Sequence, residues 1–371
     1  MKVVIERNVL FDGLQRVFSV VPQKPTLPIL TNFLLKTSEG KLSISGTDMD
    51  ISITTTLECE VEGEITVTVD AKRFLNIIRE LPEGNITIEI EDDRVMVNFV
   101  HGESSIMGIT SADYPALRHS VDGLTISVSG DDFIEMVDRT SFSVAVDRTR
   151  LALTGVYWKV SSDDVTMVAT DGHRLSLYRK KITFDEGQEA ESIVPPKALN
   201  QASKIVSSGI SLVKVIFGEG VILFDFGNTT IFSKLIEGPY PNFWQVIPAN
   251  NSKKVYVSTE DFAAAVRRVS VLSNAITHQI QFNISSGTIE LMTKNADIGG
   301  EAKETVAAKY NGDSVQVGYN ASFLGEILRK IDTDEVILEL ENPTTACIIR
   351  PVNSEESEEY LYLIMPLRLG E

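Results

Sequence analysis

The chain has 371 residues, which is enough for two or three domains that each bury a hydrophobic core. It contains 34 Lys and Arg against 52 Asp and Glu, so its formal net charge is −18, and a polybasic nucleic-acid binder of the histone type is excluded. A hydrophobic content of 43% with 23% charged residues is typical of a globular protein and disfavours a mostly disordered chain.

The two cysteines and the N-terminal residues indicate in which cellular compartment the protein is expected. Cys59 and Cys347 lie far apart and show no metal-ligand or redox spacing, so we expect a reducing compartment and neither a metal nor another cofactor. Charge appears at Lys2, before any apolar run of signal-peptide length, and no apolar stretch reaches the roughly 18 residues that cross a bilayer. We therefore expect a cytoplasmic protein without a membrane partner.

Six amphipathic helices are predicted, and they come in three pairs. Apolar residues at steps of three and four indicate helices over 11–21, 71–82, 132–145, 195–208, 261–273 and 320–332. Phe11, Phe133 and Phe262 occupy matching positions in the first helix of each pair, 122 and 129 residues apart. A repeat of this length has the size of a whole domain rather than of a solenoid unit.

Between the helices the hydrophobic pattern has period two, which is typical of strands. Apolar residues alternate over 86–90 and again over 95–99, and this predicts a hairpin with one buried face. A turn follows a strand-like run at Gly46–Asp48, Ala169–Asp171 and Thr293–Asn295, which keeps the same repeat. Each unit is thus predicted to be an α+β domain with two helices on antiparallel sheets.

The domain boundaries follow from this register. A Tyr-Pro step at Tyr114 returns at Tyr240, 126 residues later, and marks the end of units one and two. We predict three domains, over residues 1–121, 122–249 and 250–371.

Positive charge is concentrated on the predicted helices. They carry eleven basic and eight acidic residues, a surplus of three, while the remainder of the chain has a net charge of −21. Such faces favour loose, salt-sensitive contacts with the phosphates of a polyanion, without base reading. The alternative is that Lys and Arg occupy solvated faces only because they are good helix formers.

The segment Thr170–Leu175 is the strongest candidate for chemistry, because Asp171 and His173 stand two residues apart. No nucleophile elbow, phosphate-binding loop or metal motif accompanies them, so a structural or surface role for His173 is favoured. A hydrolase that uses Asp171 and His173 stays open as a second hypothesis. A third, a monomeric β-rich adhesion module, is disfavoured by the lack of a secretion signal.

The C-terminal run Tyr360–Leu369 is strongly apolar, and chain ends of this kind are normally docked on the protein. It has two interpretations. It could be the last strand of the third core, or Met365, Pro366 and Leu367 could line an exposed apolar groove for a partner peptide.

The threefold repeat and four segments together resemble the bacterial DNA sliding clamp family, the β subunits of DNA polymerase III. The segments are Lys24–Leu30, Thr170–Leu175, Arg267–Asn274 and Met365–Leu369, and the resemblance covers essentially the full chain. It implies a homodimeric ring of six similar domains that encircles duplex DNA and tethers polymerase, without catalytic activity.

Packing geometry supports two chains per ring. Twelve helices at about 9.5 Å spacing make a circle of roughly 114 Å, which leaves a hole of about 26 Å after side chains are subtracted. Six helices would leave only about 8 Å, too little for a duplex whose groove depths sum to roughly 16 Å.

The resemblance also implies site residues and partners. A peptide groove between units two and three would be formed by Leu153, Thr170, Gly172, His173, Arg174, Leu175, Pro241, Val246, Leu363, Met365, Pro366, Leu367 and Arg368. Its expected partners are the DNA polymerase III α subunit, the clamp-loader δ subunit, and other polymerases, mismatch-repair proteins or ligase.

The resemblance also implies residues that contact DNA and residues that contact the second subunit. Lys24, Arg73 and Lys197 match positions that face DNA, and the basic helix faces add Arg79, Lys204, Arg267 and Arg268. Ile106, Val271 and Leu272 match positions at the contact between subunits.

Overall fold

The structure, a computed structural model, describes residues 1–91, 93–184, 189–352 and 357–369. These residues form six α-helices, and all six lie where the periodicity predicts them. The helices are α1 (Arg7–Phe18), α2 (Ala71–Glu80), α3 (Gly130–Thr140), α4 (Pro196–Val206), α5 (Thr259–Ser270) and α6 (Ala321–Leu328).

The predicted start differs most at α1. This helix begins at Arg7 rather than at Phe11, because the Glu6 side chain accepts a hydrogen bond from the Val9 N–H at 2.8 Å and caps the first turn. Asp12 and Gly13 therefore lie inside the helix instead of opening it. Capping by a residue outside the apolar pattern is invisible to a periodicity argument.

The strands are short and all pair antiparallel in the described part of the chain. The first ten are β1 (Lys2–Glu6), β2 (Asn32–Ser38), β3 (Lys41–Thr47), β4 (Ile51–Glu58), β5 (Glu60–Glu62), β6 (Thr66–Asp70), β7 (Asn85–Glu91), β8 (Arg94–Phe99), β9 (Gly102–Met107) and β10 (Ile109–Thr110). The next eight are β11 (Gly123–Ser129), β12 (Val156–Val160), β13 (Asp164–Thr170), β14 (Arg174–Lys181), β15 (Ala190–Val194), β16 (Leu212–Gly218), β17 (Val221–Asp225) and β18 (Thr229–Lys234). The last eight are β19 (Lys253–Ser258), β20 (Gln279–Ser285), β21 (Thr288–Asn295), β22 (Gly300–Lys309), β23 (Val315–Asn320), β24 (Glu335–Leu340), β25 (Cys347–Pro351) and β26 (Glu358–Ile364).

The chain divides into two compact units. Unit one comprises Met1–Ile134 with Lys197–Leu235 and holds a five-stranded sheet, β5-β1-β7-β8-β9, and a nine-stranded sheet, β10-β6-β2-β3-β4-β18-β17-β16-β11. Unit two comprises Glu135–Pro196 with Ile236–Glu371 and holds the twelve-stranded sheet β15-β12-β13-β14-β26-β25-β24-β19-β22-β21-β20-β23.

Helix α1 shows how the helices meet the sheets. It buries Leu10, Gly13, Leu14 and Val17 against β3 and β4. Gly13 is required by the close approach, since a Cβ there would come 2.9 Å from a methyl carbon of the Leu57 side chain. The polar side of the helix is left outside the core.

The helices also pair with each other. Helix α2 packs beside α1, and the Arg7 guanidinium donates from Nε at 3.0 Å to the Ile78 carbonyl, which also accepts from the Leu81 N–H at the C-terminal end of α2. Helices α5 and α6 pack together in unit two. None of the helices in the described residues is long and apolar enough to cross a membrane.

The predicted hairpin is confirmed. Strand β7 pairs with β8, with Ile88 opposite Val97, and the alternating side chains of Ile86, Ile88 and Val95 are buried. Two of the three predicted turns are confirmed, since β3 and β13 end inside the segments at residues 46–48 and 169–171; the third segment, Thr293–Asn295, is instead the end of β21, and the turn follows it. The predicted α+β class is therefore the observed one.

The C-terminal segment combines both of its interpretations. Residues 360–364 belong to β26, which lies between β14 and β25, and their side chains are buried. Met365 comes directly after the strand and is 39% exposed, while the Leu367 N–H donates to the Gly318 carbonyl at 2.8 Å. The strand fills the core, and the residues after it lie at the surface.

Candidate functional site

A tight turn between β13 and β14 organises the site. Gly172 has φ +89°, which favours glycine. The Asp171 carboxylate accepts hydrogen bonds from the N–H groups of His173 at 2.8 Å and Arg174 at 3.0 Å, and the Thr170 hydroxyl donates to the Arg174 carbonyl at 2.6 Å. The polar residues of the motif thus hold the backbone of the turn.

Arg174 is a fixed wall of the site. Its side chain is buried, with Nε donating to Asp171 Oδ2 at 3.1 Å, Nη1 paired with Glu326, and Nη2 donating to the Phe142 carbonyl at 2.8 Å. The guanidinium also lies over the ring of Phe323, 4.5 Å from its centroid. These contacts neutralise a buried cation and hold it in one position.

A groove of about 500 Å³ opens beside this turn, wholly within unit two. Its floor belongs to an apolar cluster that includes Leu175, Phe243 and Leu363. Nine of the thirteen groove residues expected from the resemblance line it: Leu153, Thr170, Gly172, Arg174, Leu175, Pro241, Val246, Leu363 and Met365. Side chains from distant parts of the sequence thus form one apolar surface.

The other four expected residues lie outside the lining. His173 is exposed, and its ring stacks on Phe323 with centroids 6.5 Å apart. Pro366, Leu367 and Arg368 follow Met365, whose N–H donates to the His173 carbonyl at 2.8 Å. The Leu367 N–H in turn donates to the Gly318 carbonyl at 2.8 Å, so this segment lies against β23.

Sequence reasoning missed seven lining residues: Arg150, Asn242, Phe243, Gln245, Pro248, Thr345 and Ala346. Asn242 and Phe243 directly follow the repeated Tyr-Pro step, a signal that could have found them. Arg150, whose Nη2 donates to the Asp171 carbonyl at 2.9 Å, carries no such signal. The lining includes Arg150 and Arg174 and no acidic residue among the described part of the chain. Because Arg174 is neutralised by Asp171 and Glu326, only Arg150 offers charge to a ligand, and the groove favours a mainly apolar one.

The seven expected DNA-facing cations, Lys24, Arg73, Arg79, Lys197, Lys204, Arg267 and Arg268, are all exposed. Arg79 pairs with Glu80 at 3.1 Å, Lys197 pairs with Asp48, and Arg268 pairs with Glu304. The Arg268 contact holds the pKa of Glu304 below its ordinary value.

Two of these cations lie in clefts between helices. Lys204 lines a cleft of about 440 Å³ between α1 and α4, together with Arg16. Arg267 lines a cleft of about 240 Å³ between α5 and α6, together with Arg329. Each cleft therefore presents two positive side chains from neighbouring helices.

Arg139 shows where counting charges along helices is misleading. Its side chain is 6% exposed, pairs with Glu135 at 2.6 Å and Asp332 at 3.1 Å, and lies 3.9 Å from the ring centroid of Tyr360. Burial alone would raise the pKa of Asp332, but the charge of Arg139 lowers it below the ordinary value. Arg139 belongs to a buried network and is unavailable to a polyanion.

The expected subunit-contact residues lie at sheet edges and a helix end. Ile106 is on β9, the edge strand of the five-stranded sheet, and Val271 is 78% exposed just after α5, beside the half-buried Leu272. Strand β22 pairs with β19 only at Ala308 and Lys309, so in the described chain the rest of that edge is unpaired.

Three family models match the chain in order: the N-terminal domain of the DNA polymerase III beta subunit over residues 1–118, its central domain over 127–242, and its C-terminal domain over 244–368. A beta sliding clamp of Proteus mirabilis is 30% identical over 375 residues, with both chains fully covered. The chain belongs to the beta sliding clamp family. The resemblance read from the sequence is confirmed.

Solved structures agree with this membership. The chain is similar to the DNA polymerase sliding clamp of Pseudomonas aeruginosa, with a TM-score of 0.93, 27% identity and full coverage of both chains. It is equally similar to a sliding clamp of Bartonella birtlesii bound to griselimycin, with a TM-score of 0.93, 29% identity and full coverage of both chains.

Membership in the sliding clamp family makes the chain a processivity factor of DNA polymerase rather than an enzyme. The hydrolase hypothesis for Asp171 and His173 is therefore wrong, and so is the adhesion-module hypothesis. The turn geometry explains the error, because the Asp171 carboxylate accepts from backbone N–H groups and from Arg174.

Proposed function

We propose that this chain forms a homodimeric ring that encircles duplex DNA without sequence specificity and tethers the replicative polymerase to it. The observation that carries the proposal is the ordered match of three clamp-domain models along one chain. The domains are 1–121, 122–249 and 250–371, and each contributes two helices to a ring of twelve. The assembly works in the cytoplasm.

The unpaired sheet edges support the dimer. Strand β9 is an edge strand that carries Ile106 and the exposed Met107, and the open side of β22 lies at Gly300–Thr305. An exposed edge is a template for pairing with another chain, and exposed apolar side chains beside it add buried area. Pairing of β9 from one chain with β22 of the other, together with Val271 and Leu272, closes the ring at two equivalent contacts.

The exposed helix cations support the DNA contact. Lys24, Arg73, Lys204 and Arg267 are exposed and make no ion pair with the described chain, so they can meet phosphates without breaking an existing bond. Contacts of this kind release counterions, weaken as salt rises and carry no sequence information. A sliding ring requires these properties.

The groove supports the tether. Its apolar floor suits a short peptide with Leu or Phe anchors, and burial of two such anchors contributes roughly 3–6 kcal/mol before ordering costs. About 8 kcal/mol corresponds to micromolar binding, so further contacts of the peptide must supply the remainder, and we expect micromolar, exchangeable binding. The partners are the DNA polymerase III α subunit, the clamp-loader δ subunit, and other polymerases, mismatch-repair proteins or ligase that carry such peptides.

Retention on closed and open DNA tests the ring. The protein is loaded with its clamp loader on circular duplex and on the same duplex linearised, and retention is followed by gel filtration. We expect retention on the circle and escape from free ends; equal retention on both contradicts a topological link.

The variant Val271→Asp tests whether retention depends on the dimer. It changes a side chain that is exposed in the isolated chain, at the proposed contact between subunits. We expect this variant to stay folded, to sediment as a single chain of 40.9 kDa instead of a dimer, and to lose retention on the circle. Sedimentation of the natural chain as a monomer at micromolar concentration would also count against the proposal.

A further inference from the structure

A second cavity lies next to the groove, and we name it the aromatic cavity. Its volume is about 530 Å³, and it lies wholly within unit two. It is lined by Tyr157, Lys159, Ser161, Asp164, Thr166, Arg179, Glu191 and the segment Pro239–Trp244. The two cavities share Pro241, Asn242 and Phe243, so one short piece of chain separates them.

Four aromatic rings line the aromatic cavity. Tyr157 and Tyr240 are stacked with centroids 5.1 Å apart, and Phe243 lies 5.8 Å from Tyr157 and 5.0 Å from Trp244. The Trp244 side chain is 49% exposed although it belongs to this cluster. A large ring held at a rim with half of its surface in water is a common feature of binding sites.

The Trp244 ring is held by a cation. The Arg179 guanidinium lies over it, 5.2 Å from the centroid, and is itself positioned by the Thr166 hydroxyl at 3.4 Å and by Glu359 at 3.7 Å. The indole N–H of Trp244 makes no hydrogen bond to the part of the chain that the structure describes. The ring is therefore positioned in advance and keeps a free donor.

The charges of the aromatic cavity cancel. The lining holds two cations, Lys159 and Arg179, and two acidic residues, Asp164 and Glu191, so it has no formal net charge. Lys159 pairs with Glu191 at 3.3 Å. The lining therefore provides no net electrostatic attraction for a ligand of either charge. Aromatic faces with a free N–H donor are instead the surface that extended, proline-rich segments recognise, since proline rings stack on aromatic rings and their backbone carbonyls accept hydrogen bonds.

We propose that partner peptides seated in the groove continue over Pro241–Phe243 and place a proline-containing extended flank in the aromatic cavity. The inference rests on the proposed function of the groove. The shared wall makes the two sites continuous, and an extended segment advances about 3.1 Å per residue, so a short flank reaches the second site. The aromatic cavity then adds affinity and selects among partners by their flanks.

Trp244 is the probe for this proposal. The chain has two tryptophans, and Trp158 is fully buried, so a ligand-dependent emission change reports on Trp244. The ligands are a core peptide with Leu and Phe anchors, the same peptide extended at either end by a short run of prolines, and matched peptides extended by glycines.

We expect one proline-extended peptide to bind about fivefold tighter than its glycine match and to change the Trp244 emission. In Trp244→Ala that gain should disappear while the core peptide keeps its affinity. Tyr157→Ala, a second cavity variant, should also reduce the gain, measured relative to the affinity of the same variant for the core peptide, because Tyr157 also packs against the groove floor.

The outcomes separate the two proposals. If the core peptide fails to bind, the proposed function of the groove fails and this inference fails with it. If the core peptide binds but proline adds nothing over glycine at either end, or if Trp244→Ala keeps the full gain, only the aromatic-cavity proposal is overturned.

Discussion

The groove of unit two has a counterpart in unit one, built from the same elements one repeat earlier. Strand β3 ends at Thr47 as β13 ends at Thr170, and β4 pairs with β18 as β14 pairs with β26. Pro115 lines the unit-one pocket as Pro241 lines the groove. The backbone of the repeat therefore creates a concave surface twice.

The two surfaces differ in what fills them. Met49 occupies the position of Gly172, and both have left-handed backbone, with φ +83° and +89°. The pairing register places Phe232 where the groove has Leu363, and the Arg118 guanidinium lies 5.9 Å from the Phe232 ring centroid. The unit-one pocket measures about 250 Å³, half of the groove.

The mouths of the two surfaces differ as well. Lys234, the last residue of β18, lies at the register position of Met365 and forms an ion pair with Asp50 at 3.1 Å. The groove therefore has an apolar rim where the unit-one pocket has a charged one. A few side chains, and not the shared backbone, therefore distinguish the proposed peptide groove from the unit-one pocket.

Gly172→Met copies the unit-one turn into the groove and should have the largest effect. A Cβ at this position would lie 2.8 Å from Arg150 Nη1, and φ +89° strains any residue with a side chain. We expect affinity for a groove peptide to fall about a hundredfold, measured by fluorescence anisotropy, because the longer side chain fills the groove.

The control for this variant is Gly220→Met, which has φ +69° but open space around its Cβ position. In Gly220→Met the backbone strain should lower the melting temperature, while peptide affinity should stay unchanged. Equal loss of affinity in both variants would contradict the comparison.

Asp171→Ala and Asp48→Ala remove equivalent turn carboxylates from the two repeats. Asp48 Oδ1 accepts from the N–H groups of Asp50 at 3.1 Å and Ile51 at 2.8 Å, as Asp171 does in its own turn. Each variant should lower the free energy of unfolding by about 1–2 kcal/mol in denaturant titrations. Only Asp171→Ala should also weaken peptide binding, because Arg174 loses a partner. Weaker peptide binding in Asp48→Ala, with unchanged binding in Asp171→Ala, would refute a single functional groove in unit two.

Met365→Lys gives the groove the charged mouth of unit one. The side chain is partly exposed, so stability should change by no more than about 0.5 kcal/mol. The substitution removes the apolar Met365 side chain from the rim of the groove, and we expect peptide affinity to fall about fivefold by calorimetry. Unchanged affinity in Met365→Lys would show that the apolar rim does not contribute to peptide binding. Lys234→Met is the matched substitution at the equivalent position of unit one.

Met49→Gly should have the smallest effect. Glycine relieves the strain of the left-handed backbone at this position but increases the conformational entropy of the unfolded chain. The two effects oppose each other, so the free energy of unfolding should change by no more than about 0.5 kcal/mol. Phe232 and Arg118 still fill the pocket, so calorimetry should count one peptide per chain. Two peptides per chain would show that Met49 alone closes the unit-one site.

Much of this architecture follows from local pattern. The helices, the hairpin at 86–90 and 95–99, and the repeat all rest on periodicities of 3.6 and 2, which are set by neighbours a few residues apart. The turn at Thr170–Leu175 was found because it recurs in the repeat and carries a recognisable motif. Helix α1 starts earlier than predicted because its cap, Glu6, lies outside the apolar pattern.

The amino-acid sequence alone determined the fold class, the threefold repeat and the family, since these depend on short-range patterns and ordered motifs. Only the tertiary structure decided which cations are exposed, that Arg139 is buried and pairs with Asp332, and that Arg150, Thr345 and Ala346 join the groove. The physical reason is that these contacts join side chains far apart along the chain, and only the packing of distant strands, helices and loops brings them together.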